Sequence, residues 1–104
     1  MDNNIGEKLA YLESLFVKYG AVKTKMKYSE TEDGEKRDVY FFGDNFCCAG
    51  TIKFPESDEI YLVISCAENV RFAKVGILDN VDAFGTDVTE EEMDEKVRTA
   101  FGIE

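Results

Sequence analysis

The 104-residue chain contains no His and no Trp, and only one Pro and three Cys. Without His it lacks the side chain that titrates nearest neutrality. Ser–His, Cys–His and His–metal constellations are therefore excluded within the chain. Acid–base chemistry would fall to Asp, Glu, Lys, Tyr or Cys, each in an environment that shifts it far from its ordinary behaviour. The odd number of Cys is too few for a disulfide scaffold and fits a reducing, cytoplasmic setting. No apolar run approaches the roughly 20 residues a membrane span needs. The opening Met1-Asp2-Asn3-Asn4 has no basic segment leading into an apolar one, so no signal peptide is expected. Gly20, Gly34, Gly43 and Gly50 are isolated, and none belongs to a phosphate-cradling loop.

What is present is acid. Asp and Glu number 22 against 12 Lys and Arg, a formal charge of −10. The excess is uneven: residues 1–28 are net +2, residues 29–55 net −3, residues 56–78 net −2 and residues 79–104 net −7. Apolar residues make up 44%, enough for one domain over residues 1–104 with a modest core.

The hydrophobic pattern predicts an α+β fold. Ile5, Leu9, Leu12, Phe16 and Tyr19 recur at helical spacing over residues 4–19, with Asn3 or Asn4 as cap and Gly20 placed to end the helix. The seam lasts about two heptads, too short for a coiled coil, and is expected to pack on a sheet. From residue 21 the period falls to two. Val22, Thr24, Met26 and Tyr28 alternate with Lys23, Lys25 and Lys27, and Asp33-Gly34 supplies a hairpin turn. Further strands are predicted over residues 36–42, 46–54 and 59–67, joined by short connections that favour an antiparallel meander. Residues 68–78 keep no single period and are assigned to a fifth, bulged strand. Residues 79–87 read as a loop. Thr89 and Glu92 have capping-box spacing at the head of a last helix, with Met93, Val97, Ala100 and Phe101 as its apolar stripe. The expected architecture is a helix, a four- to five-stranded antiparallel β-meander and a C-terminal helix, with both helices on one face of the sheet.

Several groups carry candidate chemistry. Glu91, Asp94 and Glu95 share a flank of the last helix, with Asp87 and Glu90 beside its N-terminus, and together offer a carboxylate surface to a basic partner. The competing explanation is a solvated helix face whose first acids satisfy the dipole. The loop from Asp79 fails as an EF-hand, because Val81 and Ala83 stand where oxygen ligands are needed. Lys23, Lys25 and Lys27 read as guards of an edge strand, paired with Glu30, Glu32 or Glu35, since a −10 chain repels nucleic acid. Cys47 and Cys48 should point to opposite faces, one buried and one half-exposed, with Cys66 on a core-facing position. The carboxylate pair Asp58 and Glu59 falls in a turn, a poor setting for general acid–base work.

No motif assigns a family. Small acidic inhibitors of nucleic-acid enzymes, anti-CRISPR and DNA-mimic proteins among them, are similar in size and charge, a likeness of composition alone. The expected function is that of a non-catalytic inhibitor or regulator without metal or cofactor. It would dock Asp87, Glu90, Glu91, Asp94 and Glu95 on a basic partner, such as a nucleic-acid-binding enzyme, without binding nucleic acid or membrane itself. Either a monomer or a homodimer fits. Two alternatives are a chaperone-like or oligomeric adaptor exposing Tyr40, Phe42, Tyr61 and Val63 on a sheet face, and a small-ligand carrier with a pocket between sheet and helices.

Overall fold

The computed structural model describes residues 5–29, 36–53, 56, 58–75, 78 and 80–103. Its elements are α1 (Ile5–Lys18), β1 (Val22–Tyr28), β2 (Arg37–Phe42), β3 (Asn45–Lys53), β4 (Ile60–Ala67), α2 (Val70–Lys74), β5 (Asn80–Gly85) and α3 (Glu90–Phe101). The strands form one antiparallel sheet whose spatial order, β1-β2-β3-β4-β5, is the chain order. The proposed caps Asn3 and Asn4 and the Asp33-Gly34 turn lie outside the described residues.

α1 ends as its sequence predicts. Gly20 has φ 107°, and the Ala21 N–H donates to the Phe16 carbonyl while the Gly20 N–H donates to Val17. These two bonds close a Schellman motif, and a side chain at Gly20 would be strained there. α3 begins on the expected capping box: the Glu92 N–H donates to the Thr89 hydroxyl, and the Thr89 N–H donates to the Glu92 carboxylate.

α1 and α3 lie together on one face of the sheet. Leu12, Leu15 and Phe16 from α1 and Met93, Val97 and Phe101 from α3 bury against Tyr40, Cys47, Ala49, Leu62, Ile64, Cys66 and Phe84. Aromatic rings lock the helices to the β2 side. Phe16 meets the Tyr40 ring edge-on at 5.4 Å, and Phe42 stacks on Phe101 at 4.6 Å. This core fills the middle of the space between sheet and helices.

Two local assignments are corrected. Residues 68–78 hold a helical turn, not a bulged strand. Asn69 caps α2 by accepting from the Phe72 N–H at 3.1 Å, and Ala73 buries in a second cluster with Val39, Phe46, Cys48 and Ala67 on the opposite face of the sheet. One turn is too short to display a helical period, so Phe72 and Val75, both exposed, gave no pattern. The fifth strand comes from the stretch read as a loop. β5 pairs regularly with β4 from Tyr61↔Gly85 to Cys66↔Asn80. Its Asn and Asp suggest a turn, but on an edge strand they lie at the sheet margin, and Asp82 faces Lys96 of α3 at 3.5 Å.

The opposite face carries one close backbone approach. Arg37 is 7% exposed, and its guanidinium crosses above Gly50 and donates to the Thr51 carbonyl at 3.0 Å. A Cβ at Gly50 would lie 2.2 Å from Arg37 Nε. Glycine is what lets the arginine lie flat on the strand.

Candidate functional site

The β4–β5 register explains how acids distant in sequence meet. Pairing of Tyr61 with Gly85 puts the start of β4 and the end of β5 at the same end of the sheet. Asp58 and Glu59 precede β4, Asp87 follows β5, and α3 begins three residues later. Lys8 of α1 fixes this junction by donating to the carbonyls of Thr86 and, at 2.9 Å, Val88.

Three shallow, open grooves meet there, and Asp87 lines all of them. The first, about 450 Å³, runs between β5 and α3 and is walled by Asp82, Phe84, Glu92, Glu95 and Lys96. The second is flanked by Asp58 and Glu59, and the third by Glu7 and Glu90. Asp87 and Glu90 therefore share one groove, Asp87 and Glu95 another. Glu91 is exposed and borders none of the three. At about 100° per residue it stands on the outer face of α3, between Asp94 and Glu95.

Asp94 is placed differently from its neighbours. It accepts from the Tyr19 hydroxyl at 2.5 Å and from Arg98 Nε at 2.8 Å, joining α1 to α3. The Tyr19 hydrogen bond, then that from Arg98, hold its carboxyl below the usual Asp range. Its charge is committed within the molecule, whereas Glu90, Glu91 and Glu95 are exposed. Sequence reasoning missed Glu7, Asp58, Glu59, Asp82 and Glu92 as members of this surface. Recognising β5 as the partner of β4 would have exposed Asp58, Glu59 and Asp82, because that pairing brings Asp58 and Glu59 to the end of β5 beside Asp87 and sets Asp82 facing α3.

The other candidates resolve into structure. Lys23 and Lys27 flank Asp38 of β2, Lys23 at 3.4 Å, and Lys27 chiefly lowers the Asp38 pKa through its hydrogen bond. Glu30, Glu32 and Glu35 lie outside the described residues. Glu13 of α1 faces the same group. Its pKa is raised by burial first and by Asp38 second, and it accepts a hydrogen bond from Tyr40. Burial, then the nearby Glu13, push the Tyr40 hydroxyl to about 12.

All three thiols are buried, so the expected half-exposed Cys is not found. Cys47 and Cys48 do point to opposite faces, into the two separate clusters. Cys47 lies 3.7 Å from Cys66, its cross-strand partner, and that contact together with burial drives the Cys47 pKa upward. Such thiols are poor nucleophiles. Among the described residues no group of three or more His, Cys, Asp or Glu is arranged to hold a metal ion.

The aromatic sheet face expected of an adaptor does not form. Tyr40 is buried under α1, Phe42 stacks on Phe101, and Val63 is buried on the opposite face from both. No helix among the described residues is long and apolar enough to cross a membrane.

No family model, no curated protein and no solved structure matches this chain.

Proposed function

We propose that the protein is a non-catalytic binding protein that docks its acidic end on a basic partner, of the kind presented by nucleic-acid-binding enzymes, and blocks that surface. The observation that carries this reading is the convergence of acids from three separated parts of the chain on one end of the fold: Glu7 from α1, Asp58 and Glu59 before β4, and Asp87, Glu90, Glu92 and Glu95 around the start of α3. A segregated field of one sign steers a partner of the other sign and makes docking sensitive to salt. The burial of all three thiols and the absence of His add support for binding over catalysis. In this reading Glu91 and Glu95 make central contacts, Asp87 and Glu90 border them, and Asp94 holds α3 against α1.

The test is to mix the protein with a panel of purified DNA- and RNA-binding enzymes at low and high salt. A specific complex that weakens with salt, competes with nucleic acid and is lost on reversing Glu91 and Glu95 to Lys is the expected result. Binding that ignores both salt and these reversals would refute the proposal.

A further inference from the structure

The two edges of the sheet are built in opposite ways. β1 carries Lys23, Lys25 and Lys27, and its register with β2 breaks between Lys23 and Lys27. Both features discourage another strand from pairing with it. β5 has neither. It contains no Lys and no Pro, it keeps unbroken register with β4 over six residues, and among the described residues no strand pairs with its outer side. Its outward N–H and C=O groups form a template of the kind an extended peptide completes by adding a strand.

The surroundings of that edge specify the peptide. Asn80, Asp82 and Phe84 share the face of β5 that looks toward α3, because they pair with Cys66, Ile64 and Leu62 of the helix-side core. On that side the groove carries the carboxylates of Asp82, Asp87, Glu92 and Glu95 and one ammonium, Lys96, which faces Asp82 at 3.5 Å. Glu92 also accepts from the Thr89 N–H, and Asp87 and Glu95 are exposed. Val81 and Ala83 point to the other face and are exposed, Val81 by 52%. An added strand alternates its side chains in the same way. Its residues on the α3 side would meet carboxylates, and those on the far side would meet Val81 and Ala83.

We infer that β5 is a docking edge for an extended segment of the partner protein in which basic and apolar residues alternate. The segment joins the sheet as a sixth strand, with Lys or Arg entering the groove beside α3 and apolar side chains covering Val81 and Ala83. This inference rests on the acidic-docking reading and supplies its mode: backbone pairing gives the register, and the alternating faces give the specificity.

The test uses three labelled synthetic peptides against the full chain, read by fluorescence anisotropy and by amide chemical shifts. One alternates Lys with Val. The second has the same composition in two blocks. The third is the alternating peptide with N-methyl groups on all of its amides, so that its pairing donors are removed whichever edge faces β5. The expected result is that the alternating peptide binds, that the other two bind about tenfold more weakly or worse, and that the largest shifts fall on residues 80–85. Equal binding by all three peptides overturns strand addition and leaves acidic docking standing. So do shifts confined to α3, or failure of every peptide while a basic enzyme still binds through Glu91 and Glu95. A homodimer that protects the β5 amides overturns it by giving the edge to a second copy. If neither peptides nor basic enzymes bind at low salt, both readings fall.

Discussion

Tyr19, one residue beyond α1, donates its hydroxyl proton to Asp94 in the second turn of α3, and the bond spans 75 residues of sequence. Arg98, one turn further along α3, completes the arrangement through the other carboxylate oxygen. The contact removes one acid from the free acidic surface and uses it to orient the helix that carries the rest.

Separating Asp94 from its neighbours by mutation is therefore informative. Asp94→Asn and Tyr19→Phe should each lower Tm while leaving salt-sensitive partner binding largely intact. Glu91→Lys with Glu95→Lys should leave Tm and circular dichroism nearly unchanged and weaken binding at least about tenfold. Thermal melts and titrations on the same samples check both halves. Equal effects of the two sets on binding would contradict the division of roles.

Gly50→Ala should destabilise the fold by about 1–3 kcal/mol, because the new methyl group meets the Arg37 side chain in a covered site. Arg37→Ala in the same background should relieve much of the added cost, since the clash is removed with the side chain. Denaturant unfolding of the two single variants and the double variant measures the coupling.

The two faces of the sheet should both matter to stability. Phe16→Ala removes a ring buried under the helices, and Phe46→Ala one buried in the α2 cluster, so each should cost about 3–5 kcal/mol. A negligible cost for Phe46→Ala, measured by urea unfolding, would mean that the α2 side contributes no real core.

Acid should weaken the fold in a defined window. Asp38 and Asp94 have lowered pKa values, so the stability they contribute is present above the unfolded value near 3.8 and is lost as pH falls through their folded values. Glu13 acts with the opposite sign. Its raised pKa means that ionisation costs stability as pH climbs above about 4.5, so Glu13→Gln should raise Tm near neutrality and change little in acid. Melting curves across pH for the wild type and Glu13→Gln test both signs.

The thiols should resist modification until the chain unfolds. Cys47, Cys48 and Cys66 are buried, and the Cys47 pKa is raised. Iodoacetamide followed by mass spectrometry should find no adduct on the native protein and three on the denatured one. Rapid labelling of Cys47 in native buffer would show that the helix layer opens readily.

Elements with long, repetitive patterns were readable from sequence. α1 shows its stripe over four turns, β1 and β4 show alternation, β2 and β3 are apolar runs set off by turn residues, and the Thr89–Glu92 pair marks the head of α3 to the residue. β1 nevertheless exposes Val22 and Met26, because an edge strand needs alternation less than a central one does. The error over residues 68–87 has a physical origin. α2 has one turn, so its helicity depends on the Asn69 cap and the burial of Ala73, both settled by tertiary contacts. β5 takes its conformation from pairing with β4, although its composition favours a turn. The same exchange hid much of the acidic surface. Asp87, Glu90, Glu91, Asp94 and Glu95 lie near one another in sequence and were visible there, but Asp58, Glu59 and Asp82 join them only through strand pairing.

The identity of spatial and chain order in the sheet also bears on how the molecule assembles. Every strand finds its partner in the strand just before it, so the sheet can grow hairpin by hairpin, closing one short loop at a time. The contacts of α3 are of another kind. Tyr19 with Asp94 and Lys8 with Val88 each close a loop of most of the chain, 75 and 80 residues of sequence. The same docking of α3 that covers its share of the apolar sheet face also sets Glu92 and Glu95 across a groove from Asp82, so that one packing event serves both the core and the acidic end.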